Sequence, residues 1–74
     1  SKLKPADFKS WRKGMGLSQK KAAEALGLKL RMIQYYEKGK RDSKDVKIPK
    51  SVRLACFALS EGVSDFDGTE TQRK

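Results

Sequence analysis

The sequence predicts an all-α fold, because segments with apolar residues at helical spacing alternate with short glycine turns along most of its 74 residues. The clearest signal lies between Gly16 and Arg41, where the pattern predicts two short helices joined by a tight turn. One further helix on each side gives a compact fold of four to five helices. A chain of this length forms one small domain, near the lower limit for a self-sufficient core.

The first helix is predicted to begin near Pro5, since proline suits the first helical turn, and to end at Lys13. Phe8 and Trp11 are the large apolar residues of this segment, and we expect both in the core. Trp11 is large for so small a domain, so we expect it to anchor this helix on the last one.

The second helix is predicted over residues 19–26, with Ser18 as the N-terminal cap. Ala22, Ala23 and Leu26 lie on one face of it. Gly27 follows the last apolar residue, where a left-handed backbone is usually required and only glycine adopts it without cost.

The third helix is predicted from about Leu30 to Lys38, with Ile33 and Tyr36 directed inward. Two short helices around a glycine turn form the helix-turn-helix arrangement, in which the second helix can enter a DNA major groove. The small Ala22 and Ala23 side chains would let the two helices approach closely.

Residues 38–47 are predicted to form a polar, charged loop. A fourth helix then runs from Pro49 to Glu61, with an apolar stripe of Val52, Ala55, Cys56 and Leu59. Gly62 ends it, Val63 and Phe66 are expected to fold back as a last turn, and we expect disorder beyond Asp67. The predicted domain therefore covers residues 4–62, and a short tail covers 63–74.

The charge distribution suggests a polyanionic partner. The formal net charge is +9, and residues 1–59 hold 16 Lys and Arg against 5 Asp and Glu. A basic body of this kind is typical of proteins that bind nucleic acid, although a lysine-rich solvated surface is the open alternative.

Several other classes are excluded or disfavoured. The chain has no histidine, so it offers no imidazole base and no Cys/His zinc site, and we expect no cofactor and no catalysis. The single Cys56 cannot form an intramolecular disulfide, which fits a cytoplasmic protein. No apolar run approaches the roughly 18 residues of a membrane span, and no small-molecule ligand is evident.

The residues at Ser18-Gln19, Ala22-Ala23, Gly27, Ile33 and 36–40 together resemble a known family. The sequence is similar to the lambda-repressor-like, or Cro/C1-type xenobiotic-response-element, helix-turn-helix proteins over about residues 8–62. The resemblance implies a sequence-specific double-stranded DNA-binding domain, as in phage-type or bacterial transcriptional repressors that act on a two-fold operator. We therefore expect a homodimer, at least on DNA, with the fourth helix and residues 63–66 as the contact surface.

The resemblance also implies roles for particular residues. Gln19, which opens the second helix, would contact a phosphate, and Arg12 would pair with Glu37 to tie the first helix to the third. The start of the third helix would read base edges through Lys29, Leu30, Arg31, Gln34 and Tyr35.

The chemistry of these side chains fits that reading. Arg31 suits guanine O6 and N7, and Gln34 suits adenine N6 and N7, although a phosphate contact or plain solvent exposure remains open for Arg31. Lys29 stands where the family has Ser or Thr, and its charge favours a contact with the phosphate backbone of DNA. Leu30 is expected either on a thymine methyl or over a neighbouring side chain, and Tyr35 on a phosphate, a base or the protein surface.

Basic residues near these elements are expected along the phosphate backbone, although Asp42 and Asp45 interrupt the run and a solvated loop is the alternative. The expected phosphate contacts, besides Gln19, are Lys20, Lys38, Lys40, Arg41 and Lys44.

Three other functions stay open from the sequence. An antitoxin-type regulator would also bind a partner protein, and a pure protein-interaction module would leave the basic residues unexplained. An RNA-binding protein would need more exposed aromatic residues for base stacking.

Overall fold

The computed structural model describes residues 3–68. It contains four helices, α1 (Pro5–Gly14), α2 (Gln19–Leu26), α3 (Leu30–Lys38) and α4 (Lys50–Ser60), and two short strands, β1 (Lys40–Arg41) and β2 (Lys44–Asp45). The predicted all-α class and the helix-turn-helix of α2 and α3 are confirmed. The disorder predicted beyond Asp67 concerns residues 68–74, of which 69–74 lie outside the described part of the chain.

The core lies where α1, α2 and α3 meet, and α4 packs on α2. Phe8 and Ile33 are fully buried at its centre. The Phe8 ring is in contact with Trp11 and Tyr36, at centroid distances of 5.7 Å and 5.9 Å. The remaining buried apolar residues are Ala22, Ala23, Ile48, Val52 and Cys56.

Trp11 joins the first and last helices, as predicted. Its indole Nε1 donates a hydrogen bond of 2.8 Å to Ser60 Oγ, at the end of α4. Cys56 lies one turn earlier, and burial raises the pKa of its thiol to about 11. The thiol therefore stays protonated at neutral pH and serves as a core residue rather than a nucleophile.

The turn between α2 and α3 has the geometry that the sequence predicts. Gly27 has a φ of 71°, and the Leu28 N–H donates to the Ala23 carbonyl at 2.8 Å. This left-handed ending closes the last turn of α2 and reverses the chain into α3. At the other end of α2, Ser18 Oγ accepts from the Lys21 N–H at 3.1 Å, the predicted cap.

Residues 40–45 form an antiparallel hairpin, so the prediction of a loop throughout residues 38–47 was wrong. Lys40 pairs with Asp45 and Arg41 with Lys44 across a two-residue turn. Asp42, the first residue of that turn, has a φ of 59°, as the tight hairpin turns with right-handed strand twist require.

The hairpin starts from Gly39, which ends α3 with a φ of 81°. The Val46 N–H donates to the Gly39 carbonyl at 3.0 Å and so closes the base of the hairpin. A Cβ on Gly39 would lie 3.0 Å from Pro5 Cγ of α1. The backbone conformation therefore favours glycine here, and a Cβ would in addition press on Pro5 of α1.

After α4 the chain turns at Gly62, and the Val63 N–H donates to the Ala58 carbonyl at 2.8 Å. Val63 thus folds back as predicted, whereas Phe66 keeps most of its ring exposed. Within residues 3–68, no helix is both long enough and apolar enough to cross a lipid bilayer.

Candidate nucleic-acid interface

The outward face of α3 presents a row of polar side chains to solvent. Arg31, Gln34 and Lys38 are exposed and Tyr35 is half-buried, at positions i, i+3, i+7 and i+4. The same helix turns Ile33 and Tyr36 into the core. Because residues at this spacing share a helix face, the four side chains are positioned to approach one surface together.

The N-terminus of α3 carries no acidic residue and no side-chain cap. Lys29 occupies the cap position with an extended backbone, but its ammonium has no acceptor to offer the first N–H groups. Leu30, the first residue of the helix, is exposed. A lysine at the positive end of the helix dipole makes this end of α3 attractive to an anion.

Arg41 connects the hairpin to the outward face of α3. Its guanidinium carbon lies 5.4 Å from the centre of the Tyr35 ring, in a cation–π contact. This contact holds a positive charge beside the row formed by Arg31, Gln34 and Lys38. The hairpin is therefore part of the same surface as α3.

The two cross-strand pairs of the hairpin differ in charge. Lys40 Nζ lies 3.1 Å from Asp45 Oδ1, so this pair is internally neutralised. Arg41 stands directly opposite Lys44, a like-charge pair. Successive residues of a strand point to opposite faces, so the like-charge pair occupies the face beside Tyr35. Two opposed cations repel each other, and an anion between them would relieve that repulsion.

Behind this surface, Arg12 and Glu37 form an ion pair between α1 and α3, with their side chains 10% and 7% exposed. Arg12 donates from Nε to Glu37 Oε2 and from Nη2 to Oε1, the latter at 3.2 Å. Its Nη1 donates to the Leu17 carbonyl at 2.8 Å, in the turn before α2. The guanidinium thus joins α1, α3 and the turn that precedes α2.

Gln19 is the third member of this network. Its Nε2 donates to Glu37 Oε1 at 3.1 Å. Burial alone would raise the pKa of Glu37, but the hydrogen bonds from Arg12 and Gln19 and the positive charges of Arg12 and Lys9 lower that pKa below its ordinary value. Glu37 is therefore ionised at neutral pH, and the N-terminus of α2 is held against the end of α3.

Sequence reasoning placed the candidate residues of α2 and α3 on the elements where the structure has them, and the Arg12–Glu37 pair that the family resemblance implies is present. The hairpin residues were expected in a loop, and the other contacts among the candidate residues were missed. Sequence reasoning did not foresee the Gln19–Glu37 bond, the Tyr35–Arg41 contact or the Lys40–Asp45 ion pair. Lys20 is exposed in the first turn of α2 beside Gln19. The turn-favouring pair Asp42-Ser43 was the available signal for a hairpin, although strands of two residues leave little pattern.

The described geometry is that of a helix-turn-helix protein. Residues 8–47 match the helix-turn-helix family of the Cro/C1 type, and the chain belongs to that family. None of the curated proteins matches the chain.

A solved structure from Nitrosomonas europaea ATCC 19718 is similar to the chain over most of its length. That structure is of a protein provisionally described as DNA-binding. It is 27% identical, with a TM-score of 0.73 over 95% of this chain. This chain spans 44% of that protein's length.

Proposed function

We propose that this chain is the DNA-binding domain, over residues 4–62, of a transcriptional regulator that binds a specific double-stranded DNA operator and represses transcription there. The observation that carries the proposal is the continuous surface of α3 and the hairpin. On it, side chains suited to base edges stand beside cations suited to phosphates. The helix-turn-helix family to which the chain belongs supports a non-enzymatic regulator, so the proposed role is non-catalytic.

Within that surface, the proposal divides base contacts from phosphate contacts. Arg31 and Gln34 are exposed in the first and second turns of α3, and each side chain has the donor and acceptor groups for a bidentate purine contact. Leu30 directly precedes Arg31 on the same helix, and its apolar side chain suits contact with a thymine methyl. Lys29 at the uncapped helix end and Tyr35, which is already in contact with Arg41, suit the phosphate backbone on either side.

The phosphate contacts on the hairpin side are proposed for Lys38, Arg41 and Lys44, with Lys40 contributing less. Arg41 is held in place by the Tyr35 ring, so less side-chain entropy is lost when it binds an anion. Lys40 differs because a phosphate would have to compete with the Asp45 carboxylate.

On the other side of α3, Gln19 and Lys20 at the start of α2 are proposed to hold a second phosphate. The Gln19 amide donates one of its two N–H groups to Glu37, which leaves the other for an anion. The backbone N–H groups and the dipole of the α2 N-terminus favour the same anion. Glu37 thereby orients a phosphate ligand while it belongs to the buried ion pair.

One such module reads few base pairs, so specific affinity requires two modules on a two-fold site about 34 Å apart, one turn of DNA. We therefore propose that the protein is a homodimer on its operator. The description of the Nitrosomonas protein as DNA-binding supports DNA as the binding partner proposed for this chain. An antitoxin-type regulator that also binds a partner protein is the alternative.

The experiment that tests the proposal is selection of bound sequences from a random duplex pool, followed by affinity measurement on the enriched site. We expect a two-fold motif with half-sites about 10 base pairs apart. A pool that shows no enrichment at modest salt would overturn the proposal. Single-stranded RNA of random sequence, tested in parallel, should bind less tightly than the selected duplex.

A further inference from the structure

A groove of about 580 Å³ lies where the start of α1, the segment after the hairpin and the first turn of α4 meet. Its volume falls within the roughly 300–1,000 Å³ of small-molecule sites, which are lined mostly by apolar side chains. No such site was evident from the sequence, because three separate segments of the chain build the walls. The apolar residues that line the groove are Leu3, Pro5, Val46, Ile48 and Pro49.

The walls of the groove are held in place by the fold. Pro5 and Pro49 have a φ that the proline ring fixes. The Val46 N–H donates to the Gly39 carbonyl at 3.0 Å, and Ile48 is only 4% exposed and anchors the segment in the core. A groove that is formed in advance loses little conformational entropy when a ligand binds.

The charged residues that line the groove are all cations, namely Lys4, Lys47 and Arg53. Arg53 is half-buried, and its Nη1 donates to the Ile48 carbonyl at 2.9 Å, which fixes the guanidinium at the groove. Among residues 3–68, no acceptor occupies its Nε and Nη2. That edge of the guanidinium is therefore free to hold a carboxylate through two parallel hydrogen bonds.

We infer that this groove binds a small amphipathic carboxylate, with its hydrocarbon chain on the apolar walls and its carboxylate on Arg53. The apolar walls favour a hydrocarbon chain over a purely ionic ligand such as inorganic phosphate, and the three cations favour an anion over a neutral molecule. A medium-chain fatty acid combines the two features. The inference is independent of the proposed operator binding, because none of the lining residues belongs to the proposed DNA-binding surface.

The test is an NMR titration of the full chain with octanoate, without DNA, followed through the backbone amide chemical shifts. We expect saturable shifts at Val46, Lys47, Ile48 and Arg53, with a dissociation constant below about 1 mM. Each methylene removed from the ligand should weaken binding about two- to fourfold, because the chain lies on apolar walls. Acetate lacks the chain and octyltrimethylammonium lacks the negative charge, so neither should shift these amides at the same concentration.

Variants of the cations separate the contribution of charge from that of the walls. Arg53→Met keeps the apolar stem but loses the charge-assisted hydrogen bonds, so it should weaken octanoate binding about tenfold. Lys47→Met leaves the bond from Arg53 to Ile48 intact and should weaken binding about threefold. Lys13→Met is the matched control, because Lys13 is exposed at the other end of α1, and it should leave binding unchanged.

The inference would be overturned by a parent chain whose groove amides do not shift with octanoate. It would equally be overturned if octanoate and octyltrimethylammonium bound with the same affinity, or if the Arg53 and Lys47 variants bound octanoate as tightly as the parent. Shifts confined to the surroundings of Leu54 and Phe57 would also contradict it, because they would place the ligand on the exposed apolar residues of α4.

Discussion

Gln19 Nε2 donates a hydrogen bond of 3.1 Å to Glu37 Oε1, although the two residues are 18 positions apart and belong to different helices. The same carboxylate accepts from Arg12 of α1. Glu37, on α3, therefore joins α1 and α2 to its own helix, and it fixes the amide that opens α2. The buried ion pair with Arg12 and the hydrogen bond that orients Gln19, the proposed phosphate ligand, thus depend on the same Glu37 carboxylate.

The first prediction concerns the cost of removing that carboxylate. Glu37→Ala leaves Arg12 charged and buried without its partner, so the free energy of unfolding should fall by about 3 kcal/mol or more. Urea denaturation followed by Trp11 fluorescence measures the loss. Glu24→Ala is the matched control, because Glu24 pairs with Lys21 at 3.9 Å on the exposed surface, and its replacement should cost less than about 1 kcal/mol. Equal losses in the two variants would contradict the prediction.

The second prediction concerns acid stability. The folded-state pKa of Glu37 lies below its unfolded value, so its contribution to stability is complete above the unfolded pKa of roughly 4.3 and is lost as pH falls through the folded pKa. The free energy of unfolding of the parent should therefore fall more steeply below pH 4.3 than that of Glu37→Gln. Urea denaturation at a series of pH values compares the two slopes. Parallel curves would show that Glu37 has an ordinary pKa in the folded state.

The third prediction concerns the hairpin and salt. For four to six phosphate contacts per protomer, the slope of log affinity against log salt should be about −4 to −5 on a half-site duplex. Arg41→Ala and Lys44→Ala should each reduce its magnitude by about 0.9 and weaken binding to all sequences alike. Lys40→Ala should change it less, because Lys40 is paired with Asp45. Lys50→Ala, which removes one charge from α4, is the control and should leave the slope unchanged. If the Arg41→Ala variant had the same slope as the parent, the hairpin would not be part of the DNA interface.

The fourth prediction concerns specificity. Arg31 and Gln34 are exposed three residues apart on α3, so we expect them to read neighbouring base pairs. Arg31→Ala should cost about 1–3 kcal/mol on the selected site and relax the preference at one position, with a smaller effect on non-specific DNA. Gln34→Ala should do the same at a neighbouring position with little change in salt dependence. Both are measured on the selected site and on every single-base variant of it. A uniform loss across those variants would identify Arg31 as a phosphate contact.

The fifth prediction compares two glycines of similar backbone conformation. Gly27 and Gly39 have φ values of 71° and 81°, so alanine at either position should destabilise the fold by about 1 kcal/mol through backbone strain. Only at Gly39 would the new methyl also meet Pro5, 3.0 Å away, whereas the space beside Gly27 is open. Gly39→Ala should therefore cost about 1 kcal/mol more than Gly27→Ala. Equal unfolding free energies for the two variants would show that α1 moves away from the new methyl group with no loss of stability.

The positions of the helices, the caps of α2 and most of the core could be predicted from the sequence. Ser18 and Gly27 mark the ends of α2 through contacts within a few residues, and the inward positions of Ile33 and Tyr36 follow from helical period. These features depend on local backbone geometry and on the burial of apolar faces, and short segments of sequence determine both. The helix-turn-helix class followed from them together with the family resemblance.

Most of the polar contacts between elements could be seen only in the folded structure. The hairpin was missed because strands of two residues carry no apolar alternation, and its pairing depends on the reversal at Gly39. The contacts of Gln19 with Glu37 and of Tyr35 with Arg41 join separate elements, so no periodicity within one element predicts them. A polar side chain finds its partner only after the apolar faces have packed, and packing brings together groups that the sequence keeps apart.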